Sequence, residues 1–120
     1  MPDFKMTTEA LILLVNDNSV LRSTLSVMLE DAGCVVAETG SLVDAQDSAR
    51  RFGFDLALVD LAAKADGEDA VRRIRSELPE IKIICARGAT RRAIDTIIRL
   101  RDSSPETPLS LELLLESLRD

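Results

Sequence analysis

The stretch Asp55-Leu56-Ala57-Leu58-Val59-Asp60 is an apolar run that ends abruptly in a carboxylate. A short, continuously apolar run is typical of a strand that is covered on both faces, as in a parallel sheet. A second run, Leu11-Ile12-Leu13-Leu14-Val15, ends in the same way, in Asn16-Asp17-Asn18. If the two strands are neighbours, their polar ends meet at one rim of the sheet, so we expect a small anionic cluster there.

Strands and helices alternate along the chain on either side of this run. Strands are predicted at 10–15, 34–38, 55–60 and 81–85. Helices are predicted near 19–32, 41–52, 68–78 and 91–100, with residues 61–67 as a loop and a last helix opening at Pro108 and Ser110. Gly33 and Gly53 mark helix ends, and Thr90 is predicted to cap the fourth helix. The inward residues of the second helix are predicted to be Val43, Ala45, Ala49 and Phe52.

The segment from Arg101 to Thr107 stands where a fifth strand is expected. Pro105 lacks the N–H that a sheet ladder needs, so we expect a short edge strand or an irregular loop. The whole pattern predicts an α/β fold: a doubly wound (βα)5 parallel sheet in three α/β/α layers, with a weak or irregular fifth strand. Working sites of such sheets lie beyond the carboxyl ends of the strands, which is where Asp17 and Asp60 fall.

Composition restricts the class of function. A chain of 120 residues, 46% hydrophobic and 30% charged, is expected to form one globular domain over residues 1–120. Its net charge of −6 argues against nucleic acid as a direct partner, because that requires a basic face. No apolar run approaches the roughly 20 residues of a membrane span, and residues 1–9 do not resemble a signal peptide. We therefore expect a cytoplasmic protein with no membrane partner.

The chain has no histidine and two cysteines. Without histidine there are no Ser–His or Cys–His nucleophile pairs and none of the usual zinc sites. Cys34 and Cys85 both lie in or beside apolar runs, and we expect buried free thiols rather than a disulfide.

The anionic rim suggests a specific chemistry. Neighbouring carboxylates repel one another, and a hard divalent cation such as Mg²⁺ or a shared proton relieves this repulsion. An aspartate beside such a metal can attack phosphorus and form an acyl phosphate, while the metal offsets charge on the transferring group. The alternative is that Asp17 and Asp60 are ordinary helix-entry or loop acids. Two acids on strands that should be neighbours favour the site.

Over nearly its whole length the chain resembles the receiver domain of two-component response regulators. The resemblance is carried by Leu13-Leu14-Val15-Asn16-Asp17-Asn18-Ser19, Ala32-Gly33-Cys34-Val35-Val36, Asp55-Leu56-Ala57-Leu58-Val59-Asp60-Leu61, Asp66-Gly67 and Pro108. It implies that Asp60 is the phosphoacceptor, that Asp17 is a direct Mg²⁺ ligand, and that the carbonyl of Ala62 is another. It also implies a sensor histidine kinase or phosphotransfer protein as phosphate donor and a downstream effector protein as target.

Three site residues depart from the family pattern. Asn16 stands where the family has its first acid, so we expect weaker Mg²⁺ binding, with Asn16 acting through a metal-bound water. Cys85 stands at the switch Ser/Thr position, and a thiol is a weak hydrogen-bond donor. Thr107 stands at the lysine position and supplies no charge to a phosphate. These departures make the chain an atypical member of the family that it resembles.

Further departures affect how a signal would leave the site. The aromatic switch position falls near Ser104, the Met-Pro after the phosphoacceptor is absent, and the loop from Asp60 to Gly67 is one residue short. Arg87 is a candidate replacement that could reach a phosphate or Asp60, because an arginine fork suits phosphate. The alternative for Arg87 is a solvated loop residue.

The last helix contains more leucine than one buried stripe needs. Leu111, Leu114, Leu115 and Leu118 form one stripe, and Leu113 lies off it. The surplus predicts a homodimer or partner face on the fourth and fifth helices. The alternative is that it covers the degraded fifth strand.

Two functional hypotheses remain from the sequence. The first is a receiver that accepts phosphate on Asp60 and signals through protein contacts. The second is a pseudo-receiver, a protein-interaction or dimerisation module without a phosphorylation cycle. Turnover of a small substrate is not expected: Ala62 stands where a dehalogenase-type phosphatase has a second aspartate, and residues 16–19 are not a phosphate-binding P-loop. At most, the chain catalyses phosphotransfer to its own Asp60.

Overall fold

The computed structural model describes residues 10–103 and 111–118 of the chain. The strands of this part are β1 (Leu11–Asn16), β2 (Val35–Thr39), β3 (Leu56–Asp60) and β4 (Lys82–Cys85). The helices are α1 (Ser19–Asp31), α2 (Leu42–Arg51), α3 (Lys64–Glu77), α4 (Ala89–Ser103) and α5 (Leu111–Leu118). None of the described helices is long and apolar enough to cross a lipid bilayer.

The four described strands form one parallel sheet in the order β2-β1-β3-β4. The two central strands, β1 and β3, are buried from Ile12 to Val15 and from Leu56 to Val59, as expected of strands covered on both faces. They pair in register, with Asn16 beside Asp60. The polar ends of both strands therefore meet at the same edge, as the sequence predicts.

Each face of the sheet carries its own apolar core. Alternating side chains send Ile12 and Leu58 to one face, where α1, α4 and α5 pack, and Leu13 and Val59 to the other, where α2 and α3 pack. Leu25, Leu29, Ile97 and Leu114 belong to the first core, and Ala45, Ala49, Ala70 and Ile74 to the second. The predicted three-layer α/β/α arrangement is confirmed.

Helix α1 ends as its sequence predicts. Ala32 is the C-cap residue of the helix. Gly33 follows with φ +98°, a conformation that glycine adopts at little cost. The Cys34 amide donates to the Leu29 carbonyl and the Gly33 amide to the Glu30 carbonyl, both at 3.0 Å. This bonding satisfies the last carbonyls of the helix in the manner of a Schellman motif and directs the chain into β2.

Helix α3 begins at Lys64, so the prediction of a loop over residues 61–67 with a helix start at Glu68 is wrong. Ala63 precedes the helix without a side-chain cap. In the structure Gly67 lies inside the helix and is buried. A Cβ added there would lie only 3.2 Å from Sγ of Cys85. The glycine serves close packing of α3 on β4.

Helix α4 differs from the prediction at both ends. Thr90 is not its cap but lies in its first turn, one residue after the start at Ala89. At the other end the helix continues through Arg101 to Ser103, where an edge strand or loop was expected. The run Ile98-Arg99-Leu100-Arg101 contains good helix formers, so the helix extends beyond its predicted end at Leu100. Residues 104–110, with the remainder of the predicted fifth strand, lie outside the described residues.

Two predicted core residues of α2 are exposed. Val43 and Phe52 have 68% and 53% of their surface accessible, whereas Ala45 and Ala49 are buried as predicted. The buried stripe includes half-buried Leu42 instead of Val43, and Phe52 falls just beyond the helix, where it packs edge-on against Phe54. In α5, Leu114, Leu115 and Leu118 are buried as predicted, and Leu113 packs partly against the same core.

Candidate functional site at the carboxyl edge of the sheet

The candidate site is built around Asp60, the last residue of β3. Its Oδ1 accepts a hydrogen bond from the backbone amide of Gly88 at 2.9 Å, and its Oδ2 accepts one from the amide of Thr90 at 3.0 Å. Both carboxylate oxygens therefore bind the amino end of α4, where free amides and the helix dipole favour negative charge. A residue at the end of a strand thus provides the acceptors that cap a distant helix.

Asn16, at the end of β1, joins the same cluster from the other side. Its Nδ2 donates to Oγ1 of Thr90 at 2.8 Å, and its Oδ1 accepts from the amide of Asn18 at 2.7 Å. The residue is 3% exposed, and Arg22 donates to its carbonyl at 2.6 Å. The amide at this position is an internal hydrogen-bonding group that connects β1 to the first turn of α4.

Asp17 lies beside Asn16 and is exposed. Its Oδ2 accepts a hydrogen bond from the backbone amide of Ala62 at 3.2 Å. The loop after β1 and the loop after β3 are thereby connected across the sheet edge. The structure brings together four of the residues singled out from the sequence: Asn16, Asp17, Asp60 and Ala62.

Cys85, at the end of β4, pairs in register with Val59 and therefore faces α3. It is a free thiol and it is exposed, so the prediction that both cysteines are buried is wrong for Cys85 and correct for Cys34. Partial burial, followed by the charges of Glu68 and Asp60, raises the pKa of the Cys85 thiol. In the described part of the chain, the hydrogen bonds of the Asp60 carboxylate come from backbone amides rather than from Cys85.

Arg87 lies in the loop between β4 and α4 and is exposed. Its carbonyl accepts a hydrogen bond from Nη1 of Arg92 at 3.3 Å. The partners of Asp60 in the described residues are the amides of Gly88 and Thr90, which follow Arg87 in the chain. Thr107 and Ser104, at the lysine and aromatic switch positions, lie outside the described residues.

Gly88 and Thr90 are partners of Asp60 that were not predicted from the sequence. Amide donors carry no side-chain signature, and only the placement of Gly88 immediately before a helix start could have indicated them. Gly88 has φ +80°, a conformation that glycine adopts readily. The glycine lets the loop turn so that its own amide points to the carboxylate.

The donor set at this edge suits a cation that needs few protein ligands. No cluster of three or more His, Cys, Asp or Glu side chains capable of holding a metal occurs among residues 10–103 and 111–118. Two carboxylates lie at this edge: Asp17 accepts a hydrogen bond from the Ala62 amide, and Asp60 ends the neighbouring strand. Mg²⁺ keeps several waters and is bound by one or two carboxylates in many proteins, so these residues fit it as a minimal site.

The sequence matches the family described as response regulator receiver domain over residues 12–104. The chain therefore belongs to this family of two-component signalling domains, whose members are generally signalling modules rather than enzymes. It is 36% identical over 89 residues to the alginate biosynthesis transcriptional regulatory protein AlgB of Pseudomonas putida, a match that covers 72% of this chain and 20% of that protein. The AlgB of Pseudomonas aeruginosa is 35% identical over 89 residues. The chain thus spans about a fifth of the length of these curated relatives.

Solved structures share the fold. A response regulator protein from Burkholderia pseudomallei, which carries a phosphorylated aspartic acid and a calcium ion, has a TM-score of 0.64 at 22% identity, covering 92% of this chain and 67% of that one. The receiver domain of the sensor histidine kinase PA1611 from Pseudomonas aeruginosa, with a magnesium ion in its active-site cleft, has a TM-score of 0.61 at 24% identity, covering 92% and 98%.

Proposed function

We propose that this receiver domain accepts a phosphoryl group on Asp60 and signals through protein–protein contacts. One observation carries the proposal: the in-register pairing of β1 with β3 brings Asp17 and Asp60 to the same edge of the sheet. The relatives described above, one of them with a phosphorylated aspartic acid, support the same chemistry. The phosphate donor would be the phosphohistidine of a sensor histidine kinase or of a phosphotransfer protein.

In the transfer, a carboxylate oxygen of Asp60 forms a bond to phosphorus while the phosphorus–nitrogen bond of the phosphohistidine breaks. The bonding electrons go to the imidazole, which takes up a proton from solvent, and Asp60 becomes an acyl phosphate. Bound Mg²⁺ would offset the charge on the transferring group. Asp17, Asp60 and the Ala62 carbonyl would hold the ion, with Asn16 contributing through a water.

The amino end of α4 would report the modification. Forming the acyl phosphate uses one carboxylate oxygen and replaces the carboxylate charge with the larger negative charge of the phosphoryl group, so the acceptor that faces the amide of Gly88 or Thr90 changes. This route needs neither a switch hydroxyl nor a lysine, which fits the presence of Cys85 and Thr107 at those positions. A change at the start of α4 alters the surface that α4 and α5 offer to an effector or a second copy of the chain, where Ile98 is 46% exposed.

Intact-mass spectrometry after incubation with acetyl phosphate and Mg²⁺ tests the proposal. We expect one phosphoryl group to be added to the chain, none with Asp60→Asn, and less with Asp17→Asn or with EDTA in place of Mg²⁺. Asp44→Asn, which changes an exposed carboxylate of α2, should be modified like the parent.

Absence of an adduct on the folded parent protein would contradict the proposal. The fold would then be assigned as a phosphorylation-independent interaction module, and the α4 and α5 surface would become the site to examine. An adduct that persists in Asp60→Asn would contradict the assignment of the phosphoacceptor.

A further inference from the structure

An apolar cavity of about 470 Å³ opens between the first turns of α3 and the end of β4. Its walls are formed by Val59, Leu61, Gly67, Val71, Cys85 and Ala86. Pockets that hold small molecules have volumes of roughly 300–1,000 Å³ and mostly apolar walls. This cavity has the size and the lining of a ligand pocket.

The cavity is separate from the carboxylate rim. Side chains alternate along β3, so Val59 and Leu61 turn to the face that α2 and α3 cover, whereas Asp60 turns to the face of α4. The two places are connected through the end of β3, where Val59 and Leu61 flank Asp60, and through the short connection from β4 to α4, in which Ala86 lines the cavity and the amide of Gly88 binds Asp60.

The cavity exists because two of the residues around it have no side chain or a small one. Gly67 lies inside α3 without a side chain, and a Cβ there would lie 3.2 Å from Sγ of Cys85. Ala86 adds only a methyl group to the opposite wall. Val71 is the one β-branched residue of α3 that reaches the cavity, and it is half-buried. The helix therefore approaches β4 closely at Gly67 and leaves space beyond it.

Charged side chains surround the mouth of the cavity. Lys64, Glu68 and Arg87 line it, and all three are exposed. None of them forms an ion pair with another residue in the described part of the chain. Two of these three side chains are cations, although the whole chain carries −6, and the Asp60 carboxylate lies on the other face of the sheet, where it binds the start of α4. Partial burial and the charges of Glu68 and Asp60 raise the pKa of the Cys85 thiol, which favours its neutral form in the cavity wall.

We propose that this cavity binds a small amphiphilic anion. Its apolar body would lie between Leu61 and Val71, and its anionic head group would contact Arg87 and Lys64. Binding does not depend on modification of Asp60. A regulatory consequence rests on the proposed function, because the occupied cavity would constrain the same connection that holds Asp60 against α4.

Two fluorescent probes that differ by one charge test the ligand class. We expect 8-anilinonaphthalene-1-sulfonate to bind the unphosphorylated chain saturably at one equivalent. N-phenyl-1-naphthylamine, which has the same rings without the sulfonate, should bind about tenfold more weakly, a difference of about 1.4 kcal/mol. Arg87→Gln should remove most of this difference. Arg91→Gln, a change of an exposed arginine on α4, should leave it intact.

Filling the cavity tests its location. Val71→Phe should weaken sulfonate binding at least about tenfold, whereas Val27→Phe, on an exposed part of α1, should bind like the parent. Circular dichroism verifies that each variant is folded. A second measurement needs no variant: the saturating sulfonate should slow alkylation of Cys85 by iodoacetamide, because the thiol lines the cavity.

Equal binding of both probes, equal affinity in Val71→Phe and Val27→Phe, or unchanged alkylation of Cys85 under saturation would each overturn the proposal. All of these measurements use the unphosphorylated chain. Failure here is therefore distinguishable from failure of the phosphotransfer experiment.

Discussion

Asn16 shows how one amide changes the site. As an amide it donates to the Thr90 hydroxyl and accepts from the Asn18 backbone at the same time. An ionised carboxylate accepts but cannot donate, and here it would be buried beside Asp17 and Asp60. Charge buried next to like charge is costly. The amide therefore connects the end of β1 to the first turn of α4, and no cation is needed to balance an additional acid.

We predict that Asn16→Asp lowers the free energy of unfolding at pH 7 by about 1–3 kcal/mol, because it buries an acceptor-only charged group. Millimolar Mg²⁺ should recover more stability in this variant than in the parent, since the third carboxylate strengthens the cation site. Urea denaturation with and without Mg²⁺ measures both effects.

The matched control for this prediction is Asn18→Asp. Asn18 is exposed and caps α1 by accepting from the amides of Val20 and Leu21, and aspartate caps equally well. This variant should be as stable as the parent. Parental stability of Asn16→Asp, together with no response to Mg²⁺, would contradict the role assigned to Asn16.

Helix α4 is an element whose start is fixed by a residue far away in sequence. Helices are commonly capped by the residue that precedes them. Here the acceptors come from Asp60, 28 residues before Gly88 and 30 before Thr90. The carboxylate thus connects the end of β3 to the start of α4.

We predict that Asp60→Ala lowers the free energy of unfolding by about 1–2 kcal/mol, the usual effect of losing a helix cap. Hydrogen exchange at the amides of Gly88 and Thr90 should accelerate more than exchange in the middle of α4. Denaturant titration and residue-resolved exchange provide the two measurements.

Asp95→Ala serves as the control for this effect, because Asp95 lies on the exposed side of the same helix. It should leave the exchange of Gly88 and Thr90 unchanged. Slow exchange at these two amides in Asp60→Ala would mean that the carboxylate does not hold the start of α4.

Helix α3 shows that a residue with poor intrinsic propensity can be required by packing. Glycine costs about 1 kcal/mol relative to alanine inside a helix. At Gly67 a Cβ would lie 3.2 Å from Sγ of Cys85 on β4, closer than ordinary van der Waals contact, so the glycine favours the close approach of α3 to the sheet. The sequence prediction placed the start of α3 at Glu68, four residues after Lys64, where the helix begins.

At the scale of the whole molecule, the sheet separates two apolar cores, and Cys34 belongs to the core beneath α1, α4 and α5. Burial raises the pKa of its thiol from 9.0 to about 11, only partly opposed by a hydrogen bond with the Ala10 backbone. The folded protein therefore retains this proton at pH values where the unfolded chain releases it.

We predict that the free energy of unfolding decreases as pH rises through 9 and continues to decrease until about 11, because the unfolded state binds fewer protons in this range. Cys34→Ala should reduce the slope, while Cys85→Ala should retain most of it. Denaturation at a series of pH values measures the slopes. Equal slopes in the parent and Cys34→Ala would refute this linkage.

Four features could be predicted from the sequence: the α/β class, the alternation of strands and helices, the end of α1 at Gly33 and the placement of Asp17 and Asp60 at one edge. These features follow from local periodicity, from glycine conformation and from the rule that the carboxyl ends of parallel strands share an edge. The receiver family itself could be identified from the motifs around Asp17 and Asp60.

Other features became visible only in the folded protein: the start of α3 at Lys64, the extension of α4 to Ser103 and the exposure of Cys85. The structure alone showed that backbone amides of Gly88 and Thr90 bind Asp60 and that a cavity lies beside Val71. These features depend on contacts between segments distant in the chain. Backbone amides are the same in almost every residue, and a cavity is formed by packing between distant segments. Neither therefore has a sequence signature.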